Sequence, residues 1–343
     1  MTPKSFVALA AVTVLTVAGA VATSLSGAAS SAIAERGEPL FPGLLEQANR
    51  IAELRIDSPD DSEDMLVRRE GGTFLDSSGY PVRIGAIREL VASIAGMVIE
   101  ERKTDDPARL PELELAEPDA EEGGGKRVTL VDDGGEPLVS LIAGDRDYSV
   151  GGAIGGQYVR RADETQAWLV RGAVRLPGRR ADWFDNELME VEAERIAAVS
   201  ITNEKGTVEL KRAGESLEIV NLPEGREPDT VKLERMQNAF RRLALYDVRK
   251  AGAGADAQVT ATVVITLDDG TRITLERLAA ADEQEEKNPW FRLSATAPEG
   301  GTLDKAAKLI AERGDRFEFR LEYQPRNAAG WGLEDLTVEP AEG

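Results

Sequence analysis

The sequence predicts an α+β protein: two tandem duplicated units of mainly antiparallel sheet with a packed helix each, after an N-terminal apolar helix. Three observations carry this. Strand-like and helix-like stretches recur in the same order about 145 positions apart, and an Asp-Asp-Gly turn closes a hairpin in each copy. The 343 residues also suffice for about two domains with cores of their own. The expected divisions are 1–36 for the leading segment and its linker, 37–190 for the first unit and 191–343 for the second.

The leading segment starts with Lys4 and continues from Phe6 to Leu25 without a charge. A basic residue before an apolar run is the pattern of an export signal, whose positive end stays in the cytoplasm. The run is close to the roughly 20 residues that cross a hydrocarbon core. It outlasts the core of an ordinary signal peptide, about 7 to 15 residues, which favours a retained anchor. The expected location is therefore a bacterial inner membrane, with a single N-terminal span and the body in the periplasm. The alternative is secretion to the periplasm after cleavage, at Ala20-Val21-Ala22 or at Ala32-Ile33-Ala34.

Behind a short helix, Leu44–Asn49, the first copy opens with Asn49-Arg50-Ile51-Ala52-Glu53-Leu54-Arg55-Ile56, and the second with Glu194-Arg195-Ile196-Ala197-Ala198-Val199-Ser200-Ile201. Apolar residues alternating after the Arg predict half-buried strands. Each copy then turns at glycine, after Arg68-Arg69 and after Lys211-Arg212. Helices are expected over Ala86–Val98, with a stripe of Ile87, Leu90, Val91, Ile94 and Met97, and over Val231–Leu245, with Val231, Leu233, Met236, Phe240 and Leu243. The loop at about 104–126 is acidic and ends in three glycines, so mobility is expected there; the second copy has an Ala/Gly-rich loop, Ala251–Asp256. Hairpins follow at Asp132-Asp133-Gly134 and Asp268-Asp269-Gly270. Strands at 157–161 and 166–170, then at 290–293 and 317–323, close the two copies, with a helix over Leu303–Arg313 in the second.

Composition excludes several function classes. With 62 acidic against 41 basic residues the net charge is −21, which repels phosphate backbones, so no nucleic-acid partner is expected. An anionic membrane surface is equally unattractive to the body. Cysteine and histidine are both absent. That removes thiol nucleophiles, histidine-based triads and His-ligated metals, leaving carboxylate-only chemistry and hard-metal sites. The glycines of Gly151–Gly156 lack the spacing of a phosphate loop and read as a turn. The acidic stretches Asp57–Asp64 and Asp282–Glu286 lack calcium-loop spacing and read as solvated loops. The paired aspartates at the two Asp-Asp-Gly turns are explained by the turns themselves. No catalytic residue, metal ligand or cofactor is expected.

In this acidic chain a basic series stands out: Arg160, Arg161, Arg171, Arg175, Arg179 and Arg180, with Trp168 and Trp183 among them. These eight are the candidate partner-binding residues, offering guanidinium and aromatic contacts to an acidic partner. Internal pairing with the many Asp and Glu residues is the competing account, and the tryptophans read as core or interface anchors.

From Gly156-Gln157-Tyr158-Val159-Arg160-Arg161 through Gln166-Ala167-Trp168-Leu169-Val170, Asp182-Trp183 and Ile196–Ile201, the sequence resembles the bacterial family catalogued as domain of unknown function 4340. The opening Leu40-Phe41-Pro42-Gly43-Leu44 and the closing Leu333-Glu334-Asp335-Leu336 are similar to the ends of that family. The resemblance implies an N-terminal membrane segment and, through members that accompany gliding-type ABC transport systems, an accessory role at the envelope. It supplies no catalytic residues. The expected function is a non-enzymatic, membrane-tethered envelope protein, a binding or accessory component of a transport complex, with ABC-type membrane transport components as partners. The alternatives are a periplasmic solute-binding module with its site between the two units, and a carboxylate-dependent hydrolase of envelope polymer.

Overall fold

The computed structural model describes residues 35–60, 63–253 and 257–340. The apolar run Phe6–Leu25 and both candidate cleavage sites lie outside the described residues, as do parts of the stretches 57–64 and 251–256. Among the described residues, no helix is long and apolar enough to cross a membrane. The structure is mixed α and β with antiparallel sheets. The chain divides into two compact units: one ends at Gly72 and resumes over Ile84–Leu176, and the other combines Thr73–Arg83 with the chain from Pro177 onward.

The first unit holds β1 (Ile51–Asp57), β2 (Met65–Glu70), β4 (Val98–Arg102), β5 (Lys126–Asp132), β6 (Pro137–Asp147), β7 (Gly156–Arg161) and β8 (Ala167–Arg171); β3 (Thr73–Asp76) is counted with the second unit. Its sheet runs β2-β1-β5-β6-β7-β8-β4. Period-2 alternation buries Leu54 and Ile56 on β1 and Val128 and Leu130 on β5. The helix Ile84–Ala95 buries Ala86, Ile87, Leu90, Val91 and Ile94, which includes the expected stripe except Met97, a buried residue beyond the helix end. It ends earlier than expected because Gly96 closes the last turn, donating to Ala92 O at 3.0 Å, and Val98 is already in β4.

The glycine-ended loop departs from the expected mobility. A 3-10 segment, Pro107–Leu113, is capped by Asp106, and Leu110 and Leu115 are buried against Ile142 and Ala167. Its glycines serve close approach: a Cβ on Gly125 would stand 2.3 Å from Glu114 O, and one on Gly123 would stand 2.3 Å from Pro111 O. Composition suggested flexibility, and apolar docking overrides it.

The second unit holds β9 (Glu187–Glu190), β10 (Ile196–Asn203), β11 (Gly206–Ala213), β12 (Ser216–Ile219), β13 (Glu227–Pro228), β14 (Arg242–Lys250), β15 (Val259–Leu267), β16 (Arg272–Leu278), β17 (Trp290–Thr296), β18 (Phe317–Leu321) and β19 (Thr337–Val338). Its main sheet runs β12-β11-β10-β15-β16-β17-β18-β14-β9, and β13 pairs with β19. The stretch β11-β10-β15-β16-β17-β18-β14 repeats, strand for strand, the order of the first sheet. Irregularities repeat too: the β1–β5 pairing shifts between Ile51 and Glu53, and the β10–β15 pairing between Ile196 and Ala198. The β4–β8 and β14–β18 pairings shift between Ile99 and Glu101 and between Leu245 and Asp247. The helix here is Thr230–Ala239, shorter than the expected Val231–Leu245. Leu243 and Leu245 belong to β14, because a strand hydrogen-bonded on both sides outweighs a local spacing that also fits a helix.

The segment Thr73–Arg83 is built into the second unit. Tyr80 is fully buried, edge-on to Phe184, Phe317 and Phe319 at centroid distances of 5.3, 4.9 and 6.2 Å. Arg313 Nη1 donates to the Tyr80 hydroxyl at 2.5 Å, and its guanidinium lies 4.7 Å from the ring centroid. Asp76 accepts from Ser78 N and Oγ and from Tyr80 N, which fixes the turn that presents the ring. Arg83 N donates to Trp183 O at 2.8 Å, closing the segment. Replacing Tyr80 with Ala should lower unfolding free energy by about 3 to 5 kcal/mol. Tyr80→Phe, which removes only the hydroxyl, should cost about 1 kcal/mol. Denaturant titration of both variants checks the difference.

Candidate functional site

On β14, β17 and β18 the pleat sorts residues onto two faces. Val248, Phe291, Leu293, Phe317, Phe319 and Leu321 are buried on one. On the other, Asp247 pairs in register with Arg320, Arg249 with Glu318, and Trp290 with Arg320. The Glu318 side chain has no exposed surface and accepts from Arg249 Nε at 2.7 Å and Arg292 Nε at 3.2 Å. Arg249 also reaches Glu285 at 3.2 Å. Glu285 accepts from the Trp290 indole N–H at 2.9 Å, and that ring lies 4.2 Å from the Arg249 guanidinium and 4.3 Å from that of Arg320. Arg320 reaches Asp247 at 3.5 Å, Asp247 accepts from Arg180 at 3.0 Å, and Arg180 donates to Asp76 at 3.0 Å. The result is a continuous chain in which guanidinium and carboxylate alternate, leaving no large net charge on this face.

Glu285 lies on the helix Glu283–Lys287, capped by Asp282, where a solvated loop was expected. Hydrogen bonding from Ala281 N, then the Trp290 indole and the neighbouring arginines, holds its carboxyl below the usual range. In the first unit the corresponding positions carry Glu101 on β4 and Lys103 just beyond its end, Ala167 and Leu169 on β8, and Tyr158 and Arg160 on β7. There Leu110 and Leu115 cover the face, with Leu113 and Tyr158 packed beside them. The two copies thus cover the same face differently: loop leucines lie over the first, beside Arg160 and the Lys103–Glu101 pair, and guanidiniums and carboxylates fill the second.

Of the basic series, Arg160, Arg161, Trp168, Arg171 and Arg175 belong to the first unit, and Arg179, Arg180 and Trp183 to the second. Arg160 is buried and donates to the carbonyls of Leu115, Ala162 and Glu164 and to Glu117 Oε1, locking the docked loop. Burial pulls its pKa below the usual guanidinium value. Arg161 donates to Leu40 O and Glu164 and lies over the Phe41 ring. Trp168 is buried beneath the Arg102 guanidinium, and its indole N–H has no hydrogen-bond partner among the described residues. Arg171 shares Glu100 with Arg36, at 3.2 and 3.3 Å. Arg175 is exposed, with its backbone N–H on Ser93 Oγ. Arg179 reaches Asp182 and Glu322, and Trp183 is buried. Sequence reasoning missed Trp290, Arg249, Arg320 and Glu318; the available signal was Phe317-Glu318-Phe319-Arg320-Leu321, a strand whose second face is charged rather than merely polar.

The turn aspartates are also engaged. Arg50 pairs with Asp132, whose carboxyl accepts from Glu136 N and Gly134 N and is held below its ordinary range mainly by the Glu136 contact. Arg195 pairs with Asp268 and Asp304, each at 2.7 Å. Among the described residues, no group of Asp and Glu side chains is arranged to hold a metal ion.

A family model described as "Domain of unknown function (DUF4340)" matches residues 74–269, more than half of the chain, and the chain belongs to that family. No curated protein and no solved structure matches it.

Two measurements follow from the ion pairs. Hydrogen bonds from Arg195 hold Asp268 and Asp304 below the usual carboxylate range. The stabilisation is therefore present above the unfolded pKa of about 4 and is lost as pH falls through the lower folded values. The melting-temperature gap between the native chain and Arg195→Gln should be widest near neutrality and close below about pH 3. Glu318→Ala leaves Arg249 and Arg292 without their shared acceptor and should cost about 2 kcal/mol, less than for a fully buried pair because both arginines are partly hydrated.

Proposed function

We propose that this member of the DUF4340 family is a non-enzymatic, membrane-tethered envelope protein, a binding or accessory component of a transport-type membrane complex. The tether is the uncharged run Phe6–Leu25 behind Lys4, which places the body on the far side of the inner membrane. The transport connection rests on the family resemblance.

The observation that carries the non-enzymatic part is the use made of the carboxylates. Asp132, Asp268 and Glu318, the acids best placed for chemistry by burial or pairing, each accept from an arginine that fixes a strand. A general acid needs a raised pKa, and a nucleophile needs a free lone pair aimed at substrate. Asp132 and Asp268 are held in the opposite direction. The duplicated sheets supply a rigid scaffold with exposed arginines, Arg171 and Arg175, on an otherwise acidic chain.

Affinity purification of the full-length chain from its native membrane, after mild detergent extraction, tests the proposal by mass spectrometry of the co-purifying proteins. Transport-complex subunits are expected, and recovery of a cleaved, soluble chain alone would overturn it. A chain carrying Arg171→Glu and Arg175→Glu should recover about tenfold less of an acidic partner, with its own membrane retention unchanged.

A further inference from the structure

The connection between β6 and β7 differs from everything around it. From Tyr148 to Val159 the chain reads YSVGGAIGGQYV, without a charge, in a protein with 30% charged residues. Its tip is exposed and apolar: Tyr148 is 73% and Ile154 51% accessible. The loop is nonetheless held in one shape. Asp147 accepts from Ser149 N and Oγ, Arg146 Nη2 donates to Ile154 O at 3.0 Å, and Gly172 N donates to Gly155 O at 3.0 Å. Gly155, at φ 77°, lies directly against the Tyr148 ring, where a Cβ would come within 3.2 Å of Cδ1. The apolar side chains are thus presented outward on a braced loop instead of collapsing onto the sheet.

The duplicated copy provides the comparison. The equivalent connection, between β16 and β17, carries Asp282-Glu283-Gln284-Glu285-Glu286-Lys287 on a helical turn. An uncharged tip is therefore no requirement of the fold; it is confined to the copy that follows the N-terminal apolar run. The ladder also relates it to where the chain enters this unit. Asp147 pairs with Gly156, Gly156 with Arg171, Arg171 with Val98, and Val98 with Pro39. Four steps of roughly 4.8 Å put Pro39 about 19 Å from Asp147. Arg36 is tied beside the same edge through Glu100. In sequence, only residues 26–35 separate the apolar run from Arg36.

We propose that the loop Tyr148–Gly155 is a second membrane contact, whose Tyr148 and Ile154 side chains enter the interfacial region of the bilayer that the N-terminal run anchors. Tyr at the headgroup level and an aliphatic side chain just below it match the chemistry of that region, and the Arg146 guanidinium beside Tyr148 can reach lipid phosphate. One loop of this size binds too weakly to hold the acidic body alone; it orients a body already tethered, and so rests on the tethered reading above.

The absence of cysteine makes the test direct. Full-length chain with Ile154→Cys, and separately with Gln284→Cys, is labelled with an environment-sensitive fluorophore and reconstituted into phosphatidylcholine vesicles with or without brominated acyl chains. The label at position 154 should shift to the blue and lose about half its intensity to the brominated lipid, while the label at position 284 behaves as in water. Vesicle-bound chain with both labels in water would overturn the loop contact and leave the tether standing. Chain that stays off the vesicles would overturn the tethered reading and the loop contact together.

Discussion

Arg50 and Arg195 each stand immediately ahead of the strand that opens a sheet, and each guanidinium reaches the first aspartate of the Asp-Asp-Gly turn at the end of the neighbouring strand. The backbone adds a second tie, since Asp133 N donates to Arg50 O and Asp268 N to Arg195 O. Both strands then take a one-residue irregularity just inside this point. Slippage by one residue would turn every inward side chain of a strand outward, so the relative position of β1 and β5, and of β10 and β15, must be specified at an end. The arginine does this more sharply than alternating Val, Ile and Leu can, because those side chains substitute for one another at little cost.

With register fixed, the two sheets of like strand order differ at the face carried by their last strands. In the first, leucines from a long loop pack on Ala167 and Ile142; in the second, arginines and carboxylates occupy the face and Trp290 lies against two guanidiniums. A buried carboxylate such as Glu318 adds little net stability over a well-packed apolar residue, and its removal is costly once the arginines are present. Selection for stability alone would favour the leucine solution. The ionic face instead keeps solvent access for the guanidiniums, and through Arg180 and Asp76 it joins the segment that buries Tyr80.

How much of this the sequence showed depends on how local each determinant is. Strands with alternating apolar residues, the glycine turns and the Asp-Asp-Gly hairpins were readable because their signals lie within a few residues of each other. The end of the second helix was not, since Leu243 fits both a helical stripe and a strand until β18 and β9 are seen on either side of β14. The loop ahead of Lys126 was misjudged for a related reason: glycine marks both flexible chain and close backbone approach, and only the position of Pro111 and Glu114 distinguishes them. The arginine series was visible as a composition. Its pairing was not, because Asp76 and Asp247 meet Arg180 from far along the chain on either side.

Duplication itself sharpens the functional argument. Two copies that share strand order and register tie act as controls for each other, because what both keep is what the fold needs. The Arg–Asp tie, the bulges and the hairpin turns fall in that class. What only one copy has is available for another purpose. On this criterion the ionic face of the second copy and the uncharged loop of the first are the departures that folding does not explain. The loop has the more specific chemistry of the two, for exposed apolar side chains braced by hydrogen bonds cost solubility and return no packing. A surface of that kind persists when something outside the chain covers it, and the copy that bears it is the one next to the chain's only long apolar run.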